Sequence, residues 1–114
     1  MLEDIKNQAA RELNSLDEIG LKKKVPEFIV NALDILSDQE KPEFIEFMIY
    51  GILNKIKNLK RFENIVSALS DFLAEDDRDI FIRNSVITAF KIAICFKRSI
   101  HALIEPIILG VLRN

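Results

Sequence analysis

Tryptophan is absent from this 114-residue sequence, and cysteine, histidine and tyrosine occur once each. The single cysteine, Cys95, has no partner within the chain, so a disulfide framework is excluded. Its neighbours Ile94 and Phe96 are apolar, and a buried, reduced thiol in a cytoplasmic protein is expected there. Three glycines and three prolines specify few turns, too few for a sheet of short strands. The glycines stand apart at 20, 51 and 110, so no glycine-rich loop can cradle a phosphate. The longest apolar stretches are interrupted by Lys91 and Glu105, short of the roughly 18 residues a membrane-spanning helix needs. Met1-Leu2-Glu3-Asp4 offers neither the basic lead nor the apolar stretch of a signal peptide. A soluble, cytoplasmic chain without a membrane partner is the expectation.

What is present is globular. Apolar residues make up 49% and charged residues 30%, a balance that supports a packed core. The length suits one domain, residues 1–114. Apolar spacing predicts six helices, over about 3–19, 26–37, 42–57, 62–74, 79–96 and 99–112. The first carries Leu2, Ile5, Ala9, Leu13, Leu16 and Ile19 at steps of three and four, and Gly20 is its expected stop. Pro26 and Pro42 are read as first-turn prolines of the second and third helices. Phe28, Ile29, Ala32, Leu33, Ile35 and Leu36 should face inward from the second helix. The third is apolar nearly all round, which marks a buried helix. Ile65, Val66, Leu69, Phe72 and Leu73 should face inward from the fourth, and Asp79 should cap the fifth. Pro106 should kink or split the sixth near Glu105. Short connections imply antiparallel neighbours, as stacked hairpins or as a compact bundle.

A shift of 37 residues superimposes the apolar positions. Ile29 falls on Val66, Ala32 on Leu69 and Leu36 on Leu73; Ile45 falls on Ile82, Ile49 on Val86 and Ile52 on Ala89. A repeat of this length signals stacked helical hairpins. Residues 65–93 resemble the HEAT-repeat superfamily. They show an apolar first helix, an acidic turn at Asp76-Asp77, the aliphatic–arginine pair Ile82-Arg83 and the small–large pair Ala89-Phe90. Residues 26–57 follow the apolar pattern but carry Glu46 in the arginine position. The resemblance implies an all-α array that binds proteins, less often nucleic acid.

Charge is sorted by loop. Lys22, Lys23, Lys24, Lys55, Lys57, Lys60, Arg61, Lys97 and Arg98 lie at or near the turns after the first, third and fifth helices. The opposite turns hold Glu3, Asp4, Asp38, Glu40, Glu43, Glu75, Asp76, Asp77 and Asp79. Helix dipoles explain part of this pattern at about 0.3–1 kcal/mol per charge. The lysines at the starts of the second and fourth helices run against it. The basic set is therefore a candidate docking edge for an acidic surface. The net charge of −2 argues against wholesale coating of nucleic acid.

No catalytic constellation emerges. His101 sits one helical turn before Glu105, but with Cys95 they leave a zinc site one ligand short, and a partly exposed histidine is expected. The apolar setting of Cys95 opposes an activated thiolate. Glu75-Asp76-Asp77-Arg78-Asp79 lacks the spacing and glycine of a calcium loop. Neither metal nor cofactor is expected, and the chain reads as no enzyme. The sixth helix has apolar residues all around it, with Leu103, Ile104, Ile107, Ile108, Val111 and Leu112 the candidate oligomer interface. A protein-interaction or scaffold module that forms a homodimer through this helix is the leading expectation. The alternative is a nucleic-acid-associated accessory subunit that uses the lysine-rich edge.

Overall fold

The computed structural model describes residues 1–56, 58–96 and 99–112; of Glu18 and Phe96 only the backbone is described. Among these residues there are six α-helices and no strand: α1 Leu2–Ser15, α2 Glu18–Ile35, α3 Lys41–Lys55, α4 Leu59–Phe72, α5 Glu75–Phe96 and α6 Ile100–Leu112.

The first two helices divide at a different place from the one expected. Leu16 is extended, with φ −95° and ψ 141°, and Asp17 caps α2 by accepting from the Gly20 N–H at 2.7 Å. Gly20 therefore lies in the first turn of α2 rather than ending α1. Pro26 is an interior residue of α2, not its first-turn proline. Having no N–H, it leaves the Lys22 carbonyl without its usual donor four residues on. The buried stripe Leu21, Val25, Ile29, Leu33 explains why the helix continues regardless. Burying each such side chain contributes about 1.5–3 kcal/mol. That sum exceeds the loss at the proline.

Other boundaries move for capping reasons. Asn58 accepts from the Lys60 N–H at 2.9 Å, so α4 begins before Phe62. The Ala74 carbonyl accepts from the Arg78 N–H at 2.8 Å, which starts α5 a full turn before Asp79. The Arg78 guanidinium in turn donates to the Ser70 carbonyl at 2.8 Å and covers the end of α4. Before α3, the Glu40 carboxylate accepts from both the backbone N–H and the hydroxyl of Ser37, at 3.0 and 2.9 Å. That is the reciprocal half of a capping box. In α6, Pro106 does not split the helix, which runs unbroken from Ile100 to Leu112.

The helices pack in two rows. α1, α3 and α5 are neighbours in one row; α2, α4 and α6 are neighbours in the other; α1 with α2 and α5 with α6 join the rows at their ends. Among the described residues, three ion pairs within the odd row tie its helices to one another. Lys6 reaches Glu43 at 3.0 Å, Lys41 reaches Asp77 at 2.8 Å and Lys91 reaches Glu46 at 3.0 Å. The first two bring the N-terminal halves of α1, α3 and α5 to one end.

Positions 37 residues apart share burial, and the match continues into α6. Ile29, Val66 and Leu103 are all buried; so are Ala32, Leu69 and Pro106; so are Leu36, Leu73 and Gly110. In the odd row Phe44 and Phe81, Met48 and Ser85, Ile52 and Ala89 are buried pairs. α3 is deeply enclosed, as its all-round apolar character implies, with Phe44, Ile45, Met48, Ile49 and Ile52 in the core. Ile35 and Phe72, expected to face inward, are instead 61% and 66% exposed. Each is the last residue of its helix, and the extended residue after it, Leu36 or Leu73, is the one buried in the core.

Candidate docking surfaces

The early start of α2 creates a groove. Lys22 and Lys23 stand on a helix rather than in a loop, three and four residues after Ile19. Across from them α4 presents Arg61, Asn64, Ile65 and Ala68, also at steps of three and four. Between the two helices lies a groove of about 710 Å³, which Ile56 also lines. Its floor is apolar, and Ile19 is 70% exposed. Lys22, Lys23 and Arg61 are exposed at its rim. Among the described residues no carboxylate lines it.

The remaining residues of the expected basic edge divide. Lys24 is exposed on the side of α2 that faces Glu12 and Leu16. Lys55 is part-buried, and its ammonium donates to the Leu13 carbonyl at the end of α1. That contact makes it a cap between α1 and α3 rather than a free docking charge. Lys60 is exposed and pairs at 2.6 Å with Glu63, a carboxylate buried beside α6. Lys57, Lys97 and Arg98 lie outside the described residues. The structure thus gathers Lys22, Lys23 and Arg61 and assigns Lys55 elsewhere.

The expected face of α6 divides as well. Leu103 and Ile107 are 2% and 1% exposed and belong to the core, which corrects their reading as interface residues. The close approach of Gly110 to Val66 seats this face of α6 on α4. Ile104 and Val111 are partly buried, while Ile108 and Leu112 are 47% and 72% exposed. α5 adds a stripe that the apolar pattern did not single out. Ile87, Phe90 and Ile94 are 45%, 50% and 78% exposed, opposite the buried Phe81, Ser85, Ala89 and Ile92. Their own spacing of three and four was the available signal. It was hidden because α5 is apolar on two faces at once.

The polar groups form structural pairs. Lys41 is held above the ordinary lysine range by its hydrogen bond to Asp77, with a lesser contribution from Asp38. Glu40 is held below the ordinary glutamate range, chiefly by the backbone N–H of Ser37 and then by its hydroxyl. His101 is exposed on α6, 3.5 Å from Glu105. Cys95 is exposed rather than buried, because it lies in the last turn of α5, past Ile92, the final buried position among the described side chains of that helix. Among the described residues no three His, Cys, Asp or Glu side chains are grouped to hold a metal ion. No described helix is long and apolar enough to cross a membrane.

No protein-family model matches this chain, and no curated protein or solved structure matches it significantly.

Proposed function

We propose that this chain is a non-enzymatic protein-interaction module of the cytoplasm, a short HEAT-like array that self-associates through its last pair of helices. The observation that carries the reading is the apolar surface of that pair: Ile87, Phe90 and Ile94 on α5, with Ile108 and Leu112 on α6. Arg83, Ile87, Phe90 and Ile94 follow one another at steps of four, three and four along α5, the spacing with which one helix seats against another. Large exposed apolar side chains at helical spacing on α5, with more on the α6 helix that it touches, favour an interaction surface over ordinary surface scatter. A two-fold contact uses each of them twice and covers the exposed apolar faces of both helices. The two rows and the 37-residue period support an array that presents whole helix faces to partners.

Sedimentation velocity over a micromolar concentration series tests the reading. A dimer is expected for the native chain, and a monomer of unchanged helicity for Phe90→Glu with Ile94→Glu. A native chain that stays monomeric at high micromolar concentration rejects self-association.

A further inference from the structure

We propose that the groove between α2 and α4 receives an acidic, amphipathic helix from a partner protein. The inference deepens the interaction-module reading and uses a different surface from the one proposed for self-association. Three cations, Lys22, Lys23 and Arg61, stand exposed around the groove, and among the described residues no carboxylate lines it. A partner carrying Asp or Glu is the complementary match, and such rim charges steer encounter and fix orientation.

The floor decides between classes of acidic partner. Ile19, Ile65 and Ala68 line the groove together with the cations, and Ile19 is left 70% exposed. A phosphate backbone makes no use of an aliphatic floor. No aromatic side chain among the groove residues offers a base a stacking platform either. A helix with apolar anchors on one face and carboxylates beside them uses both features. The length also suits a helix. Arg61 to Ala68 is seven steps along α4, about 10 Å of axis, so the occupant would contact about two turns. The two flanking helices present their side chains at steps of three and four, the pattern into which a third helix packs. The extension of α2 ahead of Pro26 completes this site, because the Asp17 cap makes Ile19, Lys22 and Lys23 helical.

The test is a selection of displayed random helical peptides on the full chain, with the selected peptides then measured by fluorescence anisotropy. Acidic peptides with apolar residues at steps of three and four should be enriched. Their Kd should rise at least about tenfold on the triple variant Lys22→Glu, Lys23→Glu, Arg61→Glu. Ile19→Ser, which keeps every charge, should weaken the same peptides. All four substituted side chains are exposed, and circular dichroism of each variant should match the native chain. Selection without an acidic bias, or affinity unchanged by either variant, overturns the proposal. A labelled DNA duplex that binds the native chain with a steep salt dependence, and is lost on the triple variant, overturns it in favour of nucleic acid. Phe90→Glu with Ile94→Glu is the control that separates the two surfaces. If it abolishes dimers while selection yields no acidic peptide, the groove proposal fails and the interaction-module reading stands. If acidic peptides bind a chain that is always monomeric, the groove proposal stands and self-association fails.

Discussion

Gly110 and Gly51 each lie close against a neighbouring helix, and they differ in what they approach. A Cβ on Gly110 would lie 2.7 Å from both Cβ and Cγ1 of Val66 and 2.8 Å from the Glu63 carbonyl oxygen. A β-branched side chain and a helical backbone have little freedom to move aside. A Cβ on Gly51 would lie 2.5 Å from Cδ1 of Leu13 alone, the tip of a side chain that can change rotamer. Overpacking of a rigid site costs about 1–3 kcal/mol, whereas replacing glycine with alanine in a helix returns up to about 1 kcal/mol. Gly110→Ala should therefore lower the urea midpoint clearly, and Gly51→Ala should stay within about 1 kcal/mol of the native chain. Equal losses at the two sites would contradict this assignment of rigid and yielding neighbours. Neither role was legible beforehand, since an isolated glycine in a helical pattern does not say which neighbour approaches it. Burial of the apolar positions read more directly. Ile29, Val66 and Leu69 are where their spacing put them, while Ile35 and Phe72 belong to the same pattern and face solvent.

Helices were legible as elements, and their ends were less so. The α2 boundary shows the reason. Pro26 is a strong local signal for a helix start, and Asp17 is an equally good cap nine residues earlier. Local chemistry cannot rank them. The packing of Leu21 and Val25 does, and packing is a long-range quantity. The turn into α3 was local by comparison, because Ser37 and Glu40 sit at capping-box spacing. That turn should also be sensitive to pH. The folded chain lowers the Glu40 pKa, so the ionised form stabilises the fold. This contribution is fully present above the unfolded value of about 4.3 and fades as pH falls through the lower folded value. Glu40→Gln should therefore be less stable than the native chain at neutral pH, with the difference closing in acid. Urea midpoints for both proteins across the acid range measure this. A gap that stays constant to the lowest pH would mean that the Ser37 hydrogen bonds do not depend on the charge.

At the scale of the whole molecule, a separation of 37 residues links helices that touch. It pairs α2 with α4 and α3 with α5, and the third copy in α6 completes the even row. The sequence comparison reached the first two copies. It lost the third because Pro106 and Gly110 occupy positions where Leu69 and Leu73 carry larger apolar side chains. The charge sorting was legible as a pattern, but its partners were not. Lys6 and Lys41 come from the acidic end itself and join its carboxylates across the odd row.

An array in which helices touch mainly their row neighbours should not open all at once. α3 and α4 are enclosed within their rows, whereas α1 buries only Ala9 and Leu13 against α3 and α2. Its salt bridge to Glu43 is exposed on the glutamate side, and pairs of that kind contribute about 1 kcal/mol or less. Opening α1 therefore exposes far less apolar surface than opening α3 or α4. Native-state hydrogen exchange should show the slowest amides in α3 and α4. Those of α1 should exchange through a smaller, denaturant-insensitive opening. Lys6→Met should speed exchange in α1 and leave the α4 amides unchanged. If α1 instead exchanges with the same free energy and denaturant slope as α4, the two rows unfold as one cooperative block. The period would then describe the geometry of the core without dividing its stability.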